Sequence, residues 1–235
     1  MMKKNGFTLA EVLITLAIIG VVASITLPAL MGNVQEQQAV TAFRKSMNTL
    51  NEVAQLNAAQ DGFDFTGVSL ATQPAAGDVY DANGRLDQSV WGMMYSKAQV
   101  DVTKSGAAGE ASAISPGGTG NGSCANMDFV IAFRDGTALC YANTHPAANG
   151  ENHNDPIFAV VDTNGIKAPN RVSVCAADDR ACINRSTRNI GDQFVITLHK
   201  GIAIPGRVTP TDNGGYTDTE GFAAENNAAR WAMSK

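Results

Sequence analysis

Charged residues are scarce in this sequence, and bases are scarcer than acids. Asp, Glu, Lys and Arg make up 17% of the 235 residues, with 17 bases against 22 acids, whereas about 25% of an average soluble domain is charged. Binding to nucleic acid without sequence preference needs Lys and Arg to neutralise phosphates. The acidic balance therefore argues against nucleic acid as a partner.

The chain also lacks the residue patterns that mark common active sites. It has no Ser nucleophile elbow, no phosphate-binding Gly-rich loop and no dinucleotide fingerprint. Its three histidines, His145, His153 and His199, do not stand at metal-ligand spacing. We therefore expect a protein that is not an enzyme and that needs no cofactor, with one calcium alternative described below.

One stretch, residues 12–35, has no charged residue at all. Its first 20 residues would measure about 30 Å as a helix, which matches the hydrocarbon core of a bilayer. The run is too long for a secretory signal, and no clean small-residue cleavage site follows it. Because Lys3 and Lys4 precede the run and basic residues stay in the cytoplasm, we expect a helix in membrane lipid with the rest of the chain outside the cytoplasm.

Cysteine is sparse, and no Cys-x-x-Cys pair is present. The spacings of 16, 35 and 7 between the four cysteines fit no usual zinc site. An even number beyond a membrane segment predicts disulfides in an oxidising compartment, with buried thiols or a metal site as alternatives. Three connectivities are possible, and we expect the adjacent one, which pairs Cys124 with Cys140 and Cys175 with Cys182.

Glu11 stands at the edge of the uncharged run, where a carboxylate costs up to about 3 kcal/mol and usually has a function. The segment contains no cation to pair with it. A cut after Gly6 would create an α-amino group on Phe7, about one helical turn from Glu11. That amine would pair with Glu11 of its own chain or with Glu11 of a neighbouring copy, and the second pairing would set the stagger of assembled helices.

Lys-Lys-Asn-Gly followed by Phe-Thr-Leu-Ala-Glu-Val resembles the prepilin signal shared by type IV pilins and the pseudopilins of type II secretion. The resemblance implies that a prepilin peptidase cuts after Gly6 and N-methylates Phe7, and that Glu11 serves assembly. It also implies a precursor in the inner membrane with its head outside the cytoplasm. An inner-membrane assembly platform would then add the subunit to a helical polymer of pilins or pseudopilins, as a periplasmic or extracellular filament.

Pro28 falls where this family often has proline. A proline inside a helix removes one hydrogen bond and clashes with the preceding turn. We therefore expect a helix kink or a short loss of helical regularity at Pro28.

Past the apolar run, hydrophobic residues recur at helical spacing and predict one buried stripe: Val40, Phe43, Met47, Leu50 and Ala54, with Val53 beside them. The helix is predicted over residues 7–60.

The head contains several predicted elements. The segments 127–134 and 137–141 predict a β-hairpin around an Asp-Gly turn, and 157–161 and 193–199 predict two more strands. The segment 89–102 predicts a helix turn or a short strand, and 222–233 a short helix. Six glycines within 105–123 predict a flexible surface loop.

Together these elements predict an α+β pilin-like fold, in which a long N-terminal helix packs on an antiparallel β-sheet. We expect a prepilin leader peptide at 1–6 and a transmembrane or filament-core helix at 7–31. The amphipathic half of the same helix follows at 32–60. A globular α+β head with long loops and disulfides occupies 61–235.

A second resemblance lies in the head. Residues 162–170 and then 191–194 resemble a strand-and-turn signature of pilin-like proteins, Asp-x-Asn-Gly-x-x-x-Pro-Asn followed by Gly-x-Asp-x-Phe. Here an insert with two cysteines separates the two parts, and the second part is one residue short because Gly191 and Asp192 are adjacent. The local loop geometry therefore departs from the family pattern.

The first part of this signature also permits a metal ion. Asp162 and Asn164 offer oxygens at alternate positions, as calcium loops begin, but no Glu follows to complete an EF-hand. A turn built by Asn-Gly is the favoured interpretation. A calcium ion held by Asp162 and Asn164 is the alternative.

The leading hypothesis is a structural subunit of a type IV pilus or of a type II secretion pseudopilus, and the sequence does not decide between the two. A membrane-anchored extracytoplasmic adhesin or binding protein is a rival, with the loops 105–123 and 145–155 as its binding surface. A DNA-uptake filament subunit is another rival, and the acidic balance counts against it.

Overall fold

The computed structural model describes residues 8–65, 68, 88–101, 105–107, 118–120, 122–142, 156–165 and 167–235. The chain divides into two compact units, the first ending at Gln38 and the second spanning Ala39–Lys235. The predicted divisions after residues 6, 31 and 60 stay predictions. Most of the two loops considered as an adhesive surface, with His145 and His153, lies outside the described residues.

The first helix, α1, spans Leu9–Gln60 and agrees with the predicted helix over the described residues. From Ala39 onward it buries the whole predicted stripe, including Phe43, Met47 and Leu50. The stripe continues one turn further to Asn57, which is fully buried and whose side-chain amide donates to the Phe63 carbonyl at 2.6 Å. The helical period of the sequence is therefore confirmed in the second unit.

A short second helix, α2, spans Val90–Lys97. Ser89 caps its first turn, because its hydroxyl accepts a hydrogen bond from the Gly92 N–H at 3.0 Å. Trp91, Met93 and Met94 are buried in the same hydrophobic core as the α1 stripe. Of the two structures considered for 89–102, the helix is the one that forms.

The centre of the second unit is a six-stranded antiparallel sheet with the strands in sequence order. Its strands are β1 Gly106–Ala107, β2 Phe129–Ala132, β3 Ala138–Tyr141, β4 Ile157–Asp162, β5 Gln193–His199 and β6 Ile202–Pro205. The predicted hairpin is β2 and β3, with Phe129 opposite Tyr141 and Ala132 opposite Ala138. The strands predicted at 157–161 and 193–199 are β4 and β5.

Both faces of the sheet are covered. On one face Phe194, Ile196 and Leu198 of β5 join the core cluster of the α1 stripe, and the rings of Phe43 and Phe194 stack with centroids 4.4 Å apart. On the other face Val195 joins a second cluster with Cys124 and Cys140. This arrangement explains why every residue of β5 is buried, without the alternation of a half-exposed strand.

Three elements follow the sheet. The strands β7 Val208–Pro210 and β8 Tyr216–Asp218 form a separate hairpin, and α3 spans Ala223–Ser234. The sequence predicted the helix at this place but neither of the strands. Each strand has only three residues, and the turn between them is rich in Asp, Asn and Gly, so the segment lacks the hydrophobic alternation by which strands are recognised.

The prediction of a flexible loop over 105–123 is wrong at its start. Gly106 and Ala107 form β1, in which Gly106 lies opposite Val130 of β2. Ser105 fixes this corner, because its hydroxyl accepts the Ala132 N–H at 2.9 Å. The pairing of β1 with β2 uses backbone hydrogen bonds. Because Gly and Ala have low β-propensity, the side chains of β1 gave no sign of a strand in the sequence.

Candidate functional site

The N-terminal turn of α1 is built around Glu11. Its carboxylate oxygen Oε2 accepts hydrogen bonds from the backbone N–H and the hydroxyl of Thr8, both at 2.8 Å. The Glu11 N–H in turn donates to Thr8 Oγ1 at 3.3 Å. This is a capping box, in which a Thr and a Glu three residues later satisfy each other's backbone donors at a helix start. Glu11 is thus held at the helix end in the single chain, whereas Gly6 and Phe7 lie outside the described residues.

Beyond Glu11, the first unit exposes an apolar surface on every side of the helix. Among the described residues, one helix, Leu9–Gln60, is long and apolar enough to cross a membrane, judged by length and composition. The few hydroxyls along it donate to carbonyls of their own helix, as Thr15 does to Val12 at 2.9 Å and Ser24 to Val21 at 2.8 Å. A surface of this kind needs lipid or other apolar helices around it.

Position 28 lies within α1, which is helical on both sides of it. The kink predicted at Pro28 stays a prediction.

The structure pairs the four cysteines by adjacency. Cys124 joins Cys140 with Cα atoms 5.4 Å apart, and Cys175 joins Cys182 at 5.6 Å. The first bond ties a 3₁₀ turn at Cys124–Asn126 to β3. The second closes a small loop within the insert between the two parts of the signature. Among the described residues no cysteine is free.

Asp162 holds the Asn-Gly turn that was the favoured interpretation of the sequence. Its Oδ1 accepts the N–H groups of Asn164 at 3.0 Å and Gly165 at 2.6 Å, and its Oδ2 accepts the side-chain amide of Gln193 at 2.8 Å. The residue is fully buried. Desolvation raises the pKa of Asp162 to about 7, although these hydrogen bonds oppose the shift.

The calcium alternative at Asp162 and Asn164 stays a prediction. Both carboxylate oxygens of Asp162 already accept N–H groups, with which a cation would have to compete. The Asn164 side-chain oxygen is buried and finds no hydrogen-bond partner in the described part of the chain. Within the same residues, no group of three or more His, Cys, Asp or Glu is placed to hold a metal ion.

The two parts of the head signature meet despite the insert. The Asp192 carboxylate accepts the N–H groups of Asn170 at 2.8 Å and Arg171 at 2.7 Å, and its carbonyl accepts the Thr163 N–H at 2.8 Å. A Cβ atom on Gly191 would lie 2.0 Å from the Arg171 carbonyl oxygen. Glycine is therefore required there, because the two chain segments approach more closely than a side chain permits.

Gln193 is a connecting residue that the sequence analysis missed. Its amide nitrogen donates to Asp162, and its Oε1 accepts the Cys124 N–H at 3.2 Å. It therefore links the turn after β4 to the disulfide on the far face of the sheet. Its position at the first residue of β5 was visible in the sequence, but a lone glutamine carries no signal for a contact 69 residues away.

His199, the one candidate histidine that the structure describes, is buried at the end of β5. Its Nδ1 lies 2.8 Å from the Tyr216 hydroxyl. This contact joins the central sheet to β8.

Two comparisons with known proteins agree with this geometry. Residues 1–27 match the family described as the prokaryotic N-terminal methylation motif. The chain is similar to the type II secretion system core protein G of Vibrio cholerae serotype O1 (strain ATCC 39315 / El Tor Inaba N16961). The two are 32% identical over 136 residues, which cover 52% of this chain and 90% of that protein. No solved structure matches the chain significantly.

The chain therefore belongs to the family of type IV pilins and type II secretion pseudopilins. It is a structural subunit of a type II secretion pseudopilus or of a type IV pilus, made as a membrane-anchored precursor and assembled with other subunits of the family.

Proposed function

We propose that this protein is a subunit of a type II secretion pseudopilus rather than of a surface pilus. The observation that supports this choice is the similarity to a type II secretion core protein over 90% of that protein's length. About half of this chain lies outside the match.

The processing that we propose follows the N-terminal motif. A prepilin peptidase removes residues 1–6 and methylates the α-amino group of Phe7, which leaves a chain that begins one helical turn before Glu11. The precursor is held in the inner membrane by the apolar part of α1, and an inner-membrane platform moves it into the filament. The protein itself performs no catalytic step.

Glu11 gains a second partner during assembly in this proposal. In the single chain its carboxylate accepts two hydrogen bonds from Thr8. In the filament it also faces the Phe7 amine of a neighbouring subunit, and an ion pair away from water is much stronger than one in water. This pairing fixes the axial position of one helix against the next, while the apolar surfaces supply most of the attraction.

Deletion of the gene in its native host distinguishes the two kinds of filament. The proposal predicts that secreted proteins accumulate in the periplasm, that surface pili remain, and that the intact gene restores secretion. Loss of surface pili with normal secretion would instead assign the protein to a pilus.

A further inference from the structure

The insert between the two parts of the head signature forms a loop with a rigid base. Val174 and Asn189 pair at its base, with N···O distances of 3.0 and 2.9 Å in the two directions. Inside this base the Cys175–Cys182 disulfide closes the first half of the loop. The 14-residue loop between Val174 and Asn189 is thus closed by two links, the backbone pair at its base and the disulfide within it.

Side chains within the loop hold its second half in one conformation. Asp179 Oδ2 accepts the Asn184 N–H at 2.7 Å, and Asn184 Oδ1 accepts the N–H and hydroxyl of Ser186 at 3.0 and 2.7 Å. Hydrogen bonds from backbone N–H groups, that of Asn184 foremost, lower the pKa of Asp179, so its carboxylate stays ionised in this role. A loop ordered in advance loses little conformational entropy when it binds a partner.

The loop is also fixed to the C-terminal helix. The Cys175 N–H donates to the Ala224 carbonyl at 3.0 Å, and the Asn227 amide donates to the Ala176 carbonyl at 2.9 Å. The Arg188 guanidinium lies 4.4 Å from the centre of the Trp231 ring. The disulfide, the turn and α3 therefore present the end of the loop from a fixed position.

An apolar residue between two arginines stands at that end. Ile183 is 77% exposed, against 43% for Ile202 and 38% for Leu56, the other exposed large hydrophobic residues described in the second unit. Arg180 and Arg185 are exposed on either side of it. Within the part of the chain that the structure describes, neither arginine forms an ion pair, although Arg180 interacts electrostatically with Asp218 of β8. We call Arg180, Ile183 and Arg185 the loop tip.

The charge of the loop is opposite to that of the rest of the chain. Residues 175–188 contain three arginines and two acids, Asp178 and Asp179, so the loop has a net charge of +1. Without Lys3 and Lys4, which the leader carries, the remaining 15 bases face 22 acids. Outside 175–188 the balance is therefore 12 bases against 20 acids, so the rest of a second copy of this chain is acidic overall and opposite in sign to the loop.

We propose that the loop tip is a contact surface for the acidic head surface of a neighbouring copy of this chain in the filament. The inference rests on the assembly of this chain into a filament. Opposite charges set the orientation of such a contact, and burial of Ile183 adds apolar attraction. The N-terminal helices already hold neighbouring copies together, so their effective concentration is high and a small contact suffices.

A photo-reactive amino acid at position 183 of the full-length chain, irradiated in whole cells that assemble the filament, tests the contact. We expect cross-linked dimers of this chain, with the link on a peptide that contains Asp or Glu. The same probe at position 202, which is apolar and exposed at the start of β6, is the control for random collision and should give few dimers.

Each other outcome has a definite meaning. A chain that complements the deletion strain but gives no dimers, or whose position 183 links to lipid, to nucleic acid or to a different protein, overturns the inference and leaves the filament function standing. A deletion strain with both normal secretion and normal surface pili overturns the filament function, and the inference with it.

Charge reversal gives an independent test. The double variant Arg180→Glu and Arg185→Glu should lower the dimer yield from position 183 by about tenfold, because acid would then face acid. The double variant Arg134→Glu and Lys167→Glu changes the net charge equally at exposed sites elsewhere in the second unit and should change the yield less than twofold. Equal losses in the two variants would contradict a specific contact.

Discussion

Glu11 has one observed role and one proposed role, which one substitution can separate. Its carboxylate caps the start of α1 through Thr8, and in our proposal its charge also pairs with the Phe7 amine of another subunit. Glutamine keeps an oxygen for the capping hydrogen bonds but carries no charge. The two roles therefore predict different behaviour for the same variant.

We predict that Glu11→Gln reaches the membrane at the normal level but enters filaments at least tenfold less than wild type. The physical reason is the lost ion pair with the Phe7 amine in a medium of low dielectric constant. The measurement is the yield of cross-linked assemblies of the protein in whole cells relative to its amount in membranes. Glu52→Gln, at an exposed position of the same helix, is the control. Normal assembly of Glu11→Gln would show that the cap, and not the charge, is what assembly needs.

Asp162 makes the stability of the head depend on pH. Its pKa is about 7 in the folded chain against 3.8 as the ordinary value, so between these values the folded chain holds a proton that the unfolded chain has lost. The favourable contribution of this group is therefore complete below pH 4 and is lost as pH rises to about 7. The loss is at most about 4 kcal/mol, at roughly 1.4 kcal/mol for each pH unit.

Asp162→Asn should remove this part of the pH dependence. The variant keeps an oxygen for the N–H groups of Asn164 and Gly165 but does not titrate. We expect the difference in melting temperature between pH 5 and pH 7.5, measured on the detergent-solubilised full chain, to shrink. Asp212→Asn, at an exposed turn, should leave that difference as it is in wild type. An unchanged difference in Asp162→Asn would mean that Asp162 is ionised throughout this pH range.

At the scale of elements, the Cys175–Cys182 loop and α3 stabilise each other. The contacts run from the loop backbone to Ala224, from Asn227 to the loop and from Arg188 to Trp231. The sequence between the cysteines is short and polar, so it has no hydrophobic core of its own. The disulfide limits the freedom of this segment in the unfolded chain and thereby favours the docked state.

Replacing both Cys175 and Cys182 by serine should lower the free energy of unfolding by about 2–3 kcal/mol, as expected for a loop of this size. Amide hydrogen exchange should accelerate in α3 more than in β2 and β3. Replacing Cys124 and Cys140 is the matched control, and there the faster exchange should centre on β2 and β3. Unchanged exchange in α3 after loss of the Cys175–Cys182 bond would show that the helix docks without the loop.

Elements with a strong period could be predicted from the sequence, and those made by backbone contacts could not. The stripe that contains Phe43 recurs at helical spacing, and the strands β2 to β5 are short, mainly apolar runs bounded by turn residues, so both could be predicted from local sequence. The edge strand β1 and the hairpin of β7 and β8 depend on pairing partners distant in sequence. Within the candidate site, too, contacts between residues distant in sequence could not be predicted. Thr8 and Glu11 are close in sequence, whereas Gln193 meets Asp162 and Cys124 only after the sheet has formed.

At the scale of the whole molecule, the two units serve different environments. The first has an apolar, uncharged surface between Glu11 and Glu36 that needs lipid or other helices, and the second has two hydrophobic clusters, one on each face of a sheet, and two disulfides. This division fits a subunit whose helix lies in the filament core while its head meets water. In our proposal the six-residue leader is removed before the chain enters a filament.

The central claim is that the chain is processed as a prepilin. Intact mass and N-terminal sequence of the protein from native cells test it most directly. We predict a chain that begins at N-methylated Phe7, with residues 1–6 absent. A chain that still begins at Met1, in cells with an active prepilin peptidase, would contradict the account and leave α1 as a plain membrane anchor.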